Sequence, residues 1–188
     1  LLDNRKGVET QTRKLFSVCK RRRMPIFTFI NKCDRPGVHP LTLIDDVQAD
    51  LGIEIAPVTW PLFEADRLVG VVERSTRRVH LFQRGSDHGA GRAATTTYAF
   101  DDPAIVNALG AARHAELEEE LGLLDVATPP FDREAFLRGD LSPAFFGSAL
   151  TNFGVEPFLE AFLDLAPGPV GREADTGQVE PEQPEFSG

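Results

Sequence analysis

A short apolar run near the start of the chain ends abruptly in three polar side chains. Residues 27–30 read Phe-Thr-Phe-Ile, and Asn31, Lys32 and Asp34 follow before a Pro36-Gly37 turn. An apolar run bounded by turn residues is typical of a buried strand in a parallel sheet. Ligands of open α/β sheets bind beyond the carboxyl ends of such strands. We therefore expect Asn31, Lys32 and Asp34 to lie at a binding edge.

The order Asn-Lys-x-Asp is also the guanine-recognition signature of GTPases, and its chemistry explains the residue types. Guanine presents two adjacent N–H donors, and the Asp34 carboxylate can accept both in a charge-assisted pair. Adenine lacks that pair of donors, so it would leave the carboxylate poorly partnered. Lys32 can lay its stem along the base, and Asn31 can brace neighbouring loops. The alternative for these four residues is a strand end with a helix-capping aspartate.

Composition is ordinary for a globular protein, but the charge is unevenly divided. Residues 1–100 carry 16 basic and 11 acidic side chains, whereas residues 101–188 carry 4 and 18. The acidic part argues against a nucleic-acid coat, and we expect no DNA partner. Two cysteines fit a reducing compartment, and no apolar run is long enough to cross a membrane. The expected location is cytoplasmic.

Strands and helices alternate at both ends of the chain, which predicts an α/β fold. From Ile53 to Leu141 the pattern changes to short strands followed by helices, which predicts an inserted α+β subdomain forming a separate lobe. The expected divisions are 1–54 with 142–166 for the α/β domain, 55–141 for the insertion and 167–188 for a linker. The predicted elements are helices Glu9–Arg23, Pro40–Leu51, Ala111–Leu121, Arg133–Arg138 and Val155–Leu165, strands Ile26–Ile30, Ile55–Trp60, Leu68–Glu73, Val79–Gln83, Thr95–Phe100 and Pro143–Gly147, and a Gly-rich loop at Ser86–Gly91.

A second candidate loop, Ser148-Ala149-Leu150, follows the last predicted strand. By itself it has almost no specificity, and a simple helix-entry turn explains it equally well. Beside the first motif it becomes informative, because the Ala149 backbone N–H could donate to guanine O6. The two motifs would then read one base, although the insertion separates them in sequence.

The phosphate-binding loop of GTPases is absent from these residues. None of the four lysines follows a glycine, so Gly-x-x-x-x-Gly-Lys-[Ser/Thr] does not occur. Without that loop nothing in the chain would hold a triphosphate or stabilise the transferring charge. The chain opens on Leu1-Leu2-Asp3 instead of Met, as if a strand were already under way. We therefore expect part of a longer protein, inactive by itself.

Several stretches together resemble the translational GTPases. The general ones are Lys6–Glu9, Thr12–Leu15, Pro25–Lys32 and Asp34-Arg35. The more particular ones are Ala56–Pro61, with its Thr-Trp-Pro, and Phe145–Val155, with its Asn-Phe-Gly. These last two resemble the class II bacterial peptide-chain release factors, which are related to elongation factor G. The resemblance covers nearly the whole chain, and Asn4-Arg5 and Cys33 depart from the usual pattern.

The resemblance implies a latter half of a GTPase domain, an incomplete P-loop-type sheet, followed by a β-barrel domain. It implies GTP or GDP as the ligand, with Mg²⁺ held only in the full-length protein. The guanine-binding residues would be Asn31, Lys32 and Asp34 with Ser148, Ala149 and Leu150. The implied partners are the ribosome and the stop-codon-reading release factors that such a GTPase removes from it. The alternatives are a non-catalytic α/β module that binds protein or RNA, or another GTPase like elongation factor G.

Overall fold

The computed structural model describes residues 1–64, 66–83 and 94–168, together with the backbone of 172–174 and 177–179. The predicted Gly-rich loop Ser86–Gly91 lies outside the described residues. The elements within them are β1 (Leu2–Asp3), α1 (Thr10–Arg21), β2 (Thr28–Asn31), α2 (Pro40–Leu51), β3 (Glu54–Pro57), β4 (Thr59–Glu64), β5 (Arg67–Glu73), β6 (Arg78–Phe82), β7 (Thr95–Ala99), α3 (Pro103–Leu109), α4 (Ala111–Ala127), α5 (Arg133–Arg138), β8 (Leu141–Phe146), α6 (Val155–Leu165), β9 (Arg172–Ala174) and β10 (Gly177–Val179).

Two of the helices begin and end at the residues that their local sequence signals predict. Pro40 lies in the first turn of α2, and Gly52 ends that helix with a left-handed φ of 61°. Asp132 caps α5 by accepting hydrogen bonds from the backbone N–H groups of Glu134 and Ala135. These helices therefore begin and end where their own residues favour it.

Four strands form a parallel sheet in the order β1-β2-β8-β3. The predicted α/β class is confirmed. Asp3 is in register with Asn31, and Ile30 is in register with Phe146. The carboxyl ends of β1, β2 and β8 consequently meet at one edge of the sheet, and the loops that follow these strands begin side by side.

The second large sheet is an antiparallel meander in the order β4-β5-β6-β7. Helices α3 and α4 cover it and bury Ile105, Leu117 and Leu121. Gly70 of β5 allows β6 to approach, since a Cβ there would lie 2.5 Å from the His80 carbonyl oxygen. These strands and helices, which all lie within the predicted insertion, thus pack on each other.

The prediction of one strand over Ile55–Trp60 is wrong. Glu54–Pro57 pairs with β8 in the parallel sheet, whereas Thr59–Glu64 pairs with β5 in the antiparallel sheet. Val58 is the crossing point, where its N–H donates to Ala144 O at 2.8 Å and its carbonyl accepts from Arg74 N at 2.9 Å. The stretch is apolar except for Thr59 because both strands are buried, so the change of pairing partner leaves no mark in the pattern.

The two sheets share one hydrophobic core, and the division of the chain into an α/β domain and an inserted lobe stays a prediction. A single cluster joins Ile30 and Phe146 of the parallel sheet to Leu62, Val72 and other buried residues of the insertion. A smaller cluster around Phe136 and Leu141 lies on the other side of β8. The insertion is therefore packed against the α/β part along β8.

The structure adds elements that the sequence did not predict. Helix α3 was missed, although Asp102 caps it by accepting from the Ala104 N–H. Helix α4 does not end at Gly122 but continues to Ala127, because one more turn buries Leu124. In the stretch predicted as a linker, β9 and β10 pair as an antiparallel ribbon. Within the residues that the structure describes, no helix has the length and apolar character needed to cross a bilayer.

Two glycine-to-alanine substitutions test the packing at the sheet edge. A Cβ on Gly147 would lie 2.4 Å from Phe153 O and 2.8 Å from the Phe29 ring. Gly147→Ala should therefore lower the free energy of unfolding by about 1–3 kcal/mol. Gly122→Ala is the matched control, because its Cβ meets nothing within 4 Å in the middle of α4. It should stabilise by roughly 0.5–1 kcal/mol. Urea denaturation measures both, and equal effects would contradict the close approach at Gly147.

Candidate functional site

Two loops leave the neighbouring strands β2 and β8 at the same edge of the sheet. We call residues 31–37 the Asn31 loop and residues 147–154 the Ser148 loop. The Gly147 N–H donates to Ile30 O at 3.0 Å, and the Cys33 N–H donates to Gly147 O at 3.0 Å. The backbones of the two loops are therefore fastened together where they leave the sheet.

The Asn31 side chain connects the two loops. Its Oδ1 accepts hydrogen bonds from the backbone N–H of Lys32 at 2.8 Å and from the backbone N–H of Ala149 at 2.9 Å. Asn31, which the sequence predicts to brace neighbouring loops, is hydrogen-bonded to both of these loops. The Ala149 N–H, expected to donate to a base, donates here to Asn31. It would reach guanine O6 only by changing or sharing this acceptor.

The three residues of the second motif differ in exposure. Ser148 is fully buried, and its N–H donates to Phe153 O at 2.9 Å, which closes the Ser148 loop on itself. The Ser148 Oγ accepts from Thr151 N at 3.4 Å. Leu150 is 63% exposed. Ser148 thus shapes the loop from inside, while Leu150 offers an apolar side chain on its surface.

An ion pair fixes the direction of Lys32. The Lys32 Nζ lies 2.8 Å from Asp3 Oδ2, and the other oxygen of Asp3 accepts from the backbone N–H groups of Arg5 and Lys6. The Lys32 hydrogen bond, followed by that of Arg5, lowers the pKa of Asp3 to about 2. Lys32 also has a left-handed φ of 66°, which non-glycine residues seldom adopt. Backbone and head group together restrict the direction of the lysine side chain.

Asn4, one of the departures from the family pattern, packs beneath the Asn31 loop. It is buried, and its side-chain Nδ2 donates to Arg35 O at 2.8 Å. Its backbone carbonyl accepts a hydrogen bond from Val38 N at 3.0 Å. A Cβ on Gly37 would lie 2.6 Å from this amide. The asparagine therefore supplies hydrogen bonds to a turn whose glycine leaves room for it.

Cys33, the other departure, is a structural residue. Its side chain is 1% exposed, and its Sγ donates to Ile30 O at 3.3 Å. Burial raises the pKa of the Cys33 thiol to about 12. The thiol is therefore neutral at physiological pH, and Cys33 packs as a small apolar side chain.

Asp34 opens onto a cavity between the two loops and the insertion. Its side chain is 20% exposed, and the Arg35 Nε lies 3.7 Å from one carboxylate oxygen, beyond hydrogen-bond distance. The cavity measures about 780 Å³, and both Asp34 and Leu150 line it. The rest of the lining includes insertion side chains on β4, β5, β6 and α4, among them Phe63, Arg67, Phe82 and Arg113. Of the predicted base-reading residues, Asp34 and Leu150 line this cavity, whereas Asn31, Lys32 and Ala149 are not part of its lining.

Three contributors to this site are not predicted by the sequence patterns. Asp3 and Asn4 belong to the end of β1 and the residue after it, and their position beside Lys32 and Arg35 depends on the pairing of β1 with β2. Once that pairing is assumed, an acidic residue at the end of one parallel strand and a lysine at the end of the neighbouring strand predict an ion pair between them. The third contributor, the set of insertion side chains around the cavity, carries no such local signal.

Comparison with known proteins places these features in a family. Residues 1–168 match the family of the elongation factor Tu GTP binding domain. Proteins called peptide chain release factor 3 are 48% identical in Synechocystis sp., 50% in Acaryochloris marina and 50% in Symbiobacterium thermophilum. These alignments take in the whole chain, which spans about a third of the length of those relatives (34%, 35% and 35%).

A solved structure supports the fold independently. A crystal structure of a protein from Thermus thermophilus superimposes with a TM-score of 0.60 at 22% identity. It covers 94% of this chain and 30% of that protein. The family match over residues 1–168 includes both loops of the candidate site. The chain therefore belongs to the family of the elongation factor Tu GTP-binding domain.

Proposed function

We propose that this chain is the base-reading part of the GTP-binding domain of a translational GTPase, and that the full-length protein acts in translation termination. One observation carries the proposal. The Asp34 carboxylate and the Ser148 loop emerge from adjacent strands at one edge of the sheet, with Asn31 hydrogen-bonded into both loops. Small-molecule sites are concave and combine an apolar lining with a few placed polar groups, and the cavity that Asp34 and Leu150 line has this character.

Each residue of the site has a distinct role in the proposal. Asp34 accepts the two N–H groups of guanine, and the stem of Lys32 lies along the base while its head group stays on Asp3. Asn31 and Ser148 position the loops, Ala149 provides a backbone donor, and Leu150 provides an apolar contact. These groups read the base alone. Hydrolysis takes place at the phosphates, where Mg²⁺ would stabilise the developing charge in the full-length protein, and we assign that step no residue of this chain.

The wider role is inferred from the relatives. Sequences related along the whole chain are called peptide chain release factor 3. We infer that the full-length protein hydrolyses GTP, works on the ribosome in the cytoplasm and promotes the departure of stop-codon-reading release factors. The relatedness favours this role over that of a non-catalytic module that binds protein or RNA.

Asp34→Asn should change which base the full-length protein prefers. An amide at this position matches xanthine, which has a carbonyl where guanine has an amine. Loss of the charged pair should weaken GDP binding by about 2–4 kcal/mol, while xanthosine diphosphate should gain affinity. Asp45→Asn, which alters an exposed carboxylate on α2, should leave both affinities unchanged. Titration calorimetry measures them, and a mutant that binds GDP as the wild type does would refute the role of Asp34.

Asn31→Ala should weaken GDP binding by loosening both loops together. The substitution removes the acceptor for the Lys32 and Ala149 N–H groups, at about 0.5–1.5 kcal/mol each. Asn31→Asp keeps an acceptor oxygen and should lose less affinity. GDP dissociation rates in the full-length protein distinguish the two variants. If Asn31→Ala released GDP no faster than Asn31→Asp, the bridging role would be wrong.

The 188-residue chain by itself should bind GDP with a dissociation constant of a millimolar or weaker. Two bonds to Asp34, one backbone donor and the Lys32 stem total about 4–6 kcal/mol at best. A millimolar dissociation constant already corresponds to about 4 kcal/mol, and ordering the ligand and loops reduces the sum further. Calorimetric titration at high protein concentration is the measurement. A micromolar affinity would mean that the phosphates also find a site in this chain.

A further inference from the structure

Two sequence stretches have no role in the base contacts described above. They are Thr59-Trp60-Pro61 at the start of β4 and Asn152-Phe153-Gly154 at the end of the Ser148 loop. In the structure one belongs to the insertion and the other to the base-reading side. Both lie at the junction between the insertion and β8.

The first stretch fastens the insertion to β8. The Thr59 Oγ1 accepts a hydrogen bond from the Phe146 N–H at 3.2 Å, and both residues are buried. The Trp60 ring meets the Phe146 ring edge-on, with centroids 5.6 Å apart. Because Phe146 is the last residue of β8, the insertion is attached directly before the Ser148 loop begins.

The second stretch lies at the carboxyl end of the Ser148 loop, where a side chain of the insertion contacts it. Phe82, the last residue of β6, stacks on Phe153 with ring centroids 4.2 Å apart and planes only 15° from parallel. Phe153 is also the residue whose carbonyl accepts the Ser148 N–H at 2.9 Å. The stack therefore acts on the residue that closes the Ser148 loop.

Phe82 faces the same cavity as Asp34 without belonging to either loop. Phe82 and Phe153 both line the cavity that Asp34 opens onto. Both rings are half-buried, so the stack covers apolar surface between that cavity and a second groove along α6. Removing the Phe82 ring would leave the Phe153 ring without its stacking partner and would enlarge the cavity beside the Ser148 loop.

We propose that Phe82 is a positioning residue for base binding, and that the Phe82–Phe153 stack sets where the Ser148 loop sits against the base. The proposal rests on the proposed function, since it names an insertion residue that acts on the same site. It assigns the insertion a part in nucleotide affinity, through a side chain remote in sequence from either motif. The insertion acts through Phe153 and not by touching the base itself.

The test uses the full-length protein and GDP, with dissociation constant and stoichiometry measured separately by titration calorimetry. Phe82→Ala should raise the dissociation constant roughly three- to tenfold, in line with the loss of an aromatic stack. Phe82→Leu keeps apolar volume without the flat ring and should show part of this loss. Phe82→Tyr keeps the ring and should bind as the wild type does. The stoichiometry should stay constant in all of them.

Phe100→Ala is the matched control. Phe100 stacks on His114 within the insertion, with centroids 4.4 Å apart, and away from the Ser148 loop. Its loss should lower the melting temperature without changing the dissociation constant for GDP. A purely structural role for Phe82 would instead make Phe82→Ala resemble Phe100→Ala, with fewer binding-competent molecules and the same affinity.

Inosine diphosphate distinguishes the contribution of the Ser148 loop to nucleotide affinity from that of Asp34. Hypoxanthine keeps O6 but lacks the amine that Asp34 accepts, so Phe82→Ala should weaken both nucleotides by the same factor. If wild-type protein fails to bind GDP, the proposed function fails first. If the wild type binds GDP, and both Phe82→Ala and Phe82→Leu bind GDP with the wild-type dissociation constant, the proposed function stands and the positioning role of Phe82 is overturned.

Discussion

The parallel pairing of β2 with β8 is the constraint on which the rest of the site depends. It brings together strands from opposite ends of the sequence, and it sets Ile30 opposite Phe146, so that both strands end at the same level. Gly147 makes the continuation of that pairing sterically feasible, because Phe153 O and the Phe29 ring occupy the space of a Cβ. Backbone hydrogen bonds between Gly147 and the Asn31 loop then leave the two loops little independent freedom.

Side-chain contacts at this edge of the sheet orient the site residues more than they stabilise the fold. The Lys32–Asp3 pair is half exposed on the lysine side, and such surface pairs contribute little to folding. Its effect is to restrict the direction of a flexible side chain. Asn31 acts in the same way on backbone groups, since one amide oxygen accepts from both loops. The site is thus prearranged by local contacts on a rigid sheet.

The predicted insertion packs on β8 as a second layer. Thr59 bonds to the backbone of Phe146, and Trp60 packs on its ring, so the first insertion strand continues the core of the parallel sheet. The cavity beside Asp34 consequently has one wall from each part of the fold. This arrangement gives insertion residues physical access to a loop that the α/β part alone would have to support.

The sequence by itself determined the α/β class, the limits of α2, α5 and α6, and the polar edge at Asn31, Lys32 and Asp34. These features depend on local patterns: apolar runs, caps, and turn residues that act on their own neighbours. Only the tertiary structure decided that the chain changes sheets at Val58, that Asp3 holds Lys32, and that Phe82 supports Phe153. Such contacts depend on which strands pair across long separations, and an apolar or charged residue has the same local signature whichever partner it meets.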